Sequence, residues 1–217
     1  MLNYVCRQDS YFLTEGKDLL NQEFSGEFTT YFSILQVIAN GKTKRSEIDS
    51  ILHRDVGTYL QNLECKYELI SRMKPLLYKQ NGKITAYEIH DNFLRFWFRF
   101  IYPYQSLIER NLFSLLRSNI AKNYEGFTGR TLERYFQDKL METEQFTQVG
   151  NWWDRKGQNE IDLIAINEFD HTGIVAEIKR NIHKISLGKL QEKIAVLPKK
   201  DFGEYQLEVK ALSLKDM

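Results

Sequence analysis

Asp162 and the triplet Glu177-Ile178-Lys179 are the residues whose types and spacing could do chemistry. Asp162 lies in an apolar run, NEIDLIAIN, and the triplet lies in the next one, IVAEIKRN. Both runs read as strands joined by the turn EFDHTG, so they are neighbours and roughly antiparallel. Glu177 and Lys179 are two apart and share one face of the sheet. Two carboxylates and an ammonium are therefore expected to converge on one patch. Like charges that close are unfavourable unless a cation sits between them. Carboxylate oxygens suit Mg2+ or Mn2+, so Asp162 and Glu177 are the expected metal ligands. Such an ion lowers the pKa of a bound water and shields a phosphodiester under attack. Lys179 is then placed to position or deprotonate that water. Glu133, on the preceding helix, is expected to add a carboxylate at the edge of the patch, and Gln191, on the following helix, is a candidate contact for the water or the phosphate. The plainer alternative is a surface salt-bridge cluster, whose pairs are worth only ~0–1 kcal/mol. The apolar flanks LIAI and IVAEI argue against it.

The elements that would hold these residues run from about Gly126 to the C-terminus. GFTGRTLERYFQDKL reads as a helix with Leu132, Tyr135, Phe136 and Leu140 on its core face. QFTQVGNWWDRK, NEIDLIAIN and IVAEIKRN read as three strands. A helix follows over roughly Leu187–Leu197, and YQLEVKALSL is a closing strand. Trp152 and Trp153 are adjacent; either could stack on bases, but at least one is expected in the core.

Upstream, the period is helical. Phe28, Tyr31, Phe32, Leu35 and Ile38 share one face of FTTYFSILQVIAN, and Asn40-Gly41 stops that helix. A second helix starts after Thr43, the expected N-cap, and buries Ile48, Ile51 and Leu52. A third, DVGTYLQNLECKYELI, turns Val56, Tyr59, Leu60 and Leu63 inward. Leu69–Tyr78 and Lys83–Ile89 read as a strand pair around the tight turn Asn81-Gly82. Three helices and a ribbon is the order of a winged helix-turn-helix. Asp91 then caps the helix NFLRFWFRFIYP, aromatic on nearly every side and ended by Pro103, and residues 104–122 hold one or two more helices. The expected organisation is thus an N-terminal extension (1–24), a winged helix-turn-helix (25–90), a helical linker (91–125) and an α/β domain (126–217). The fold class is α+β or α/β.

Double-stranded DNA is the expected partner. Arg72, Lys74, Lys79 and Lys83 put four basic residues and no acid across the ribbon, which suits a wing against phosphate. Arg54, Thr58, Gln61 and Asn62 are the candidate contacts of the third helix, although Asp55 and Glu64 lie among them. A winged helix that binds protein instead is the alternative. The net charge of +1 decides nothing by itself. Cys6 and Cys65 lack metal-ligand spacing, and the four histidines form no ligand pair. No apolar run is long enough to span a bilayer and no signal peptide is evident; a cytoplasmic protein with no membrane partner is expected.

Asp162 followed by Glu177-x-Lys179, after a helix bearing Glu133, resembles the PD-(D/E)XK nuclease superfamily. That resemblance implies a restriction-endonuclease-like core and a Mg2+-dependent phosphodiesterase, a deoxyribonuclease, with Asp162, Glu177, Lys179 and Glu133 as its catalytic residues. The family's proline before the Asp is replaced by Ile161. A longer resemblance covers most of the chain. YFSILQVIANGKTKRSEI, YLQNLECKYELISR, FLRFWFRFIYPYQSLIE and WWDRKGQNEIDLIAIN followed by EIKRN are similar to the C-terminal half of archaeal-type AAA+ ATPases of prokaryotes. It implies a winged helix and a C-terminal domain of unknown function that work beside an ATPase module or another protein partner. No ATP site is expected in this chain: a P-loop needs an earlier glycine where Gln36 stands, so Gly41-Lys42-Thr43 is a helix end. A non-catalytic regulatory module with a degenerate nuclease fold is the alternative.

Overall fold

The computed structural model describes residues 2–21, 24, 28–78 and 84–217, which form a mixed α+β fold with two separate sheets. Two compact units emerge. Unit 1 comprises Met1–Met73 with Thr85–Tyr124, and unit 2 comprises Lys74–Ile84 with Glu125–Met217.

Unit 1 opens with the short helices α1 (Leu2–Val5) and α2 (Glu15–Asn21), which precede α3 (Phe28–Ala39). Most of the α3 face expected from its spacing is buried: Tyr31, Phe32, Leu35 and Ile38 point inward, whereas Phe28, in the first turn, is exposed. Gly41 ends the helix with φ of +87°, a left-handed conformation that glycine adopts without a Cβ clash. Helix α4 (Arg45–Leu52) is capped differently from expectation. Lys44 occupies the N-cap and its N–H donates to the Glu47 side chain, while the Thr43 carbonyl accepts from Tyr87 N–H at 2.8 Å. Pairing to the neighbouring strand draws Thr43 out of the cap position. Ile51 is exposed rather than buried, because an eight-residue helix turns only Ile48 fully into the core.

Helix α5 (Gly57–Cys65) is followed by β1 (Ile70–Met73) and β2 (Ala86–Ile89), an antiparallel pair in the register Ile70↔Ile89 to Met73↔Ala86. The first strand is shorter than Leu69–Tyr78. Pro75 lacks an N–H for the ladder, and beyond it Leu76 N–H donates to Asn151 O at 2.9 Å, in unit 2. The Asn81-Gly82 turn lies outside the described residues.

Asp91 caps α6 (Asn92–Phe100) by accepting from Leu94 N–H at 2.7 Å. Leu94, Trp97, Phe98 and Phe100 are buried, and Phe32 meets Trp97, Phe98 and Tyr102 edge to face. The N-terminal residues share this core. Trp97 Nε1 donates to Leu13 O at 3.2 Å, and any Cβ on Gly16 would collide with the Trp97 indole. Close approach of helix and ring requires glycine there.

After α7 (Gln105–Glu109) comes α8 (Phe113–Met141), a single helix of 29 residues where the sequence suggests a break near Gly126. Gly126 and Gly129 lie inside it with open space around each. A glycine costs a helix only about 1 kcal/mol against alanine; apolar anchors on either side, Leu116 and Ile120 before and Leu132 and Phe136 after, are all buried.

Unit 2 is a four-stranded sheet with helices on both faces. Strands β3 (Gln148–Trp153), β4 (Glu160–Asn167) and β5 (Thr172–Ile178) form an antiparallel meander, and β6 (Gln206–Leu212) lies parallel beside β5. Between β5 and β6 run α9 (Leu187–Ala195) and α10 (Lys199–Phe202). One face packs Ile161, Ile164, Ile166 and Val175 under Leu190, Leu197 and Phe202. The other packs Leu163, Ala176 and Ile178 under Leu132 and Phe136 of α8. Trp152 and Trp153 are both buried, so neither offers a stacking surface. Among the described residues, no helix is long and apolar enough to cross a membrane.

Candidate active site

Asp162 owes its position to an irregularity in β4. Trp152 pairs with Ile161, but Gly150 pairs with Ile164, so β4 carries one residue more than β3 across this stretch. The extra residue is a β-bulge, which re-aims side chains and increases local twist. It explains why Ile161 and Ile164, three apart, share one core. The ladder to β5 stops at Leu163↔Ala176, and beyond it the Ile178 N–H donates to Asp162 Oδ2 at 2.9 Å. A side-chain oxygen thus completes the backbone pairing that the bulge interrupts.

Lys179 closes the group. Its Nζ donates to Asp162 Oδ2 at 2.8 Å and lies 3.1 Å from Glu177 Oε1. One ammonium therefore bridges both carboxylates, as the two-residue spacing of Glu177 and Lys179 implies. Lys193, on α9, donates to Glu177 Oε2 at 2.9 Å. Both hydrogen bonds to Asp162 fall on Oδ2, and Oδ1 has no partner among the described residues. Asp162 is 7% exposed, while the ammonium groups that meet the carboxylates stay partly open to solvent.

Burial pushes the Glu177 carboxyl up, but hydrogen bonds and charge from Lys193 and Lys179 outweigh it and hold the group below its usual range. Burial likewise works against the Lys179 ammonium; Asp162 and then Glu177 reverse that and raise it. The protonated form of Lys179 is thus favoured, as its hydrogen bonds to the two carboxylates require.

Glu133 lies on α8, and its carboxylate accepts from Arg130 Nη1 at 2.7 Å, one helical turn away. Burial pushes it up to about 7; Arg130 opposes that, and the charges of Asp162 and Glu160 add to it. The influence of Asp162 places Glu133 in the electrostatic neighbourhood of the site, and its value is suited to proton transfer at neutral pH. Gln191 is exposed on α9. Lys193 is the α9 residue that meets Glu177, and the sequence pattern did not single it out. It lies one turn after the buried Leu190 and beside the half-buried Ile194, so helical periodicity could have found it. Arg130, one turn before Glu133, carries the same signal.

No group of three or more His, Cys, Asp or Glu converges to hold a metal among the described residues. Mg2+ does not require one: a pair of carboxylates with retained waters is a common set. Asp162 and Glu177 meet that need, and a cationic group, the Lys179 ammonium, already lies between them. The residues present fit a divalent ion. A polar groove lined by Gln145, Asn167, Asp170, Thr172 and Gln206 opens where β5 begins, at the end of the strand away from Glu177.

The unit 1 candidates divide. Thr58 and Gln61 on α5 are exposed. Asn62 donates to Tyr31 Oη at 2.9 Å, and Arg54 donates to Thr30 Oγ1 at 2.7 Å with its guanidinium over the Tyr59 ring. Arg72 donates to Glu64 at 2.6 Å, and Arg45 to Asp55 at 2.9 Å. The acids on and beside α5 are thus each paired with an arginine. Lys74 is exposed, and Lys79 and Lys83 lie outside the described residues.

Residues 97–190 match the model of the family DUF234, described as archaeal and bacterial proteins of unknown function. The match runs from α6 into α9 and encloses Glu133, Asp162, Glu177 and Lys179. An uncharacterized protein of Methanocaldococcus jannaschii is 35% identical over 185 residues, covering 81% of this chain. The chain spans about two-fifths (41%) of the length of that curated relative. No solved structure matches.

Proposed function

We propose that unit 2 carries a divalent-metal-dependent phosphodiesterase site of the restriction-endonuclease type. Its substrate is double-stranded DNA, which a winged helix-turn-helix formed by α3, α4, α5, β1 and β2 engages. The whole serves as the C-terminal module of a AAA+-type ATPase in the cytoplasm. The observation that carries this reading is the convergence of Asp162 and Glu177 on a single ammonium, that of Lys179. The helix-meander-helix-strand order of unit 2 is similar to the core order of the PD-(D/E)XK superfamily and supports the reading. The M. jannaschii relative, more than twice as long as the part matched, has room for a further module.

Asp162 and Glu177 would hold Mg2+ or Mn2+, which supplies a water of lowered pKa and neutralises charge on the phosphodiester. Lys179, protonated and on a flexible stem, donates to the phosphate oxygens as they gain charge. Glu133, near neutrality in its proton affinity, accepts the proton of the attacking water. Lys193 holds Glu177 in its inward orientation. Exposed Thr58 and Gln61 are the direct contacts of α5 with a base edge or phosphate.

The test is incubation of supercoiled plasmid with Mg2+ or Mn2+ and the wild-type chain, Lys179→Ala or Asp162→Ala. Metal-dependent nicking by wild type alone is expected. Equal nicking by all three, or none by any, refutes the enzymatic reading.

A second reading has its own support. Lys179 and Lys193 already balance the charges of Asp162 and Glu177, and Arg54, Asn62 and Arg72 are committed to internal bonds. A module that regulates an ATPase through protein contacts would need nothing more. Absence of nicking together with retained, variant-sensitive stimulation of a partner ATPase would favour it.

A further inference from the structure

The sheet of unit 2 is protected unevenly along its two edges. On β3, Asn151 O already accepts a hydrogen bond from Leu76 N–H, so the segment after Pro75 covers part of that edge. Strand β6 is the other edge, paired only with β5 among the described residues. It has no proline and no bulge, two of the devices by which natural edges avoid pairing.

The direction of its backbone groups can be read from the bonds that flank it. Gln206 N–H donates to His171 O, and Leu212 O accepts from Lys179 N–H. Gln206 and Leu212 therefore turn their groups towards β5, as do the residues of the same parity, Glu208 and Lys210. In a parallel pair a residue's N–H and C=O point the same way. Leu207, Val209 and Ala211 consequently present theirs on the outer edge. Leu207 and Val209 pack against the core on the α9 side and Leu212 against the core on the α8 side, yet all three remain half-exposed. Apolar surface on both faces is left incomplete where the next strand would lie.

We propose that this edge is a homodimer interface, in which β6 pairs antiparallel with β6 of a second copy about a two-fold axis at Val209. The occupant is identified by charge. With Val209 opposite its own counterpart, Glu208 faces Lys210 of the second copy and Lys210 faces its Glu208. The hydrogen-bonded positions are then Leu207, Val209 and Ala211, the same residues whose groups point outward, and about six interchain backbone bonds form. Glu208 and Lys210 fall at the non-hydrogen-bonded positions, where opposing side chains are closest. Within one chain they already form a pair at 3.1 Å, and both side chains are exposed. Backbone phase and charge order select the same register, with no shift by one residue available to either.

The test is sedimentation equilibrium of the full chain from micromolar to submillimolar concentration, with circular dichroism to confirm folding. Wild type should dimerise. Glu208→Lys and Lys210→Glu each place like charges opposite one another and should weaken the dimer at least about tenfold. The double variant E208K/K210E restores opposite charges across the axis and should restore the dimer. Val209→Pro removes an outward N–H and trims the packing of Val209 on the core of unit 2; with folding confirmed by circular dichroism, it should abolish dimerisation. A wild type that is monomeric throughout, a dimer indifferent to the single variants, or single variants not rescued by the double overturns the proposal.

Discussion

Replacing Glu133 by glutamine should remove a titration that now opposes folding. Burial pushes the carboxyl from 4.5 up to about 7, with Arg130 opposing and the charges of Asp162 and Glu160 adding. The native state thus binds a proton that the unfolded chain releases, throughout the interval between those two values. Stability must fall as pH rises across that window and level off above it, because the slope follows the difference in bound protons. A shift of that size corresponds to about 3 kcal/mol at 1.36 kcal/mol per unit. Below the window the acid is neutral in both states and resembles the amide, so Glu133→Gln changes little at pH 4. At pH 8 the variant should be the more stable protein by about 2–3 kcal/mol, the lower figure allowing for residual solvent at the side chain. Urea unfolding at several pH values from 4 to 8, without added metal, measures this, followed by circular dichroism and by tryptophan fluorescence, to which Trp97 of unit 1 contributes beside Trp152 and Trp153 of unit 2. Parallel stability curves for the two proteins would show that Glu133 is not held near neutrality, and would remove it as a proton acceptor.

Two further perturbations probe the same packing and electrostatics. Lys193→Ala removes the donor at Glu177 Oε2, and burial should then raise the Glu177 carboxyl, visible as an upward shift in its side-chain carbon resonance titration. An unmoved titration would mean the 2.9 Å bond does not organise Glu177. Gly16→Ala forces a methyl into the Trp97 indole and should destabilise unit 1 by about 1–3 kcal/mol in thermal unfolding, and an unchanged midpoint would contradict the close approach.

The β-meander of unit 2 was legible because its strands announce themselves locally. Apolar runs bounded by turn residues place β4 and β5 side by side, and a two-residue interval brings Glu177 and Lys179 to one carboxylate partner. The bulge was not legible: nothing in NEIDLIAIN marks the extra residue that turns Asp162 towards Ile178 N–H. Lys193 went unnoticed because a lysine on an amphipathic helix is usually solvated, and only its phase relative to Leu190 shows its direction. Helix α8 hid behind Gly126 and Gly129, whose local cost is overcome by anchors on either side. In unit 1 the aromatic face of α3 and the Asp91 cap follow from sequence alone. The partners of Arg54, Asn62 and Arg72 do not, since each is fixed by a residue on another element.

The central claim concerns a cation shared by Asp162 and Glu177, and manganese binding tests it most directly. Electron paramagnetic resonance of Mn2+ titrated with the wild-type chain should show saturable loss of the free-ion signal, reversed by Mg2+. Asp162→Asn and Glu177→Gln, folded by circular dichroism, should each abolish that loss. Binding that persists unchanged in both variants, or a wild-type chain that leaves the free Mn2+ signal intact, would contradict it.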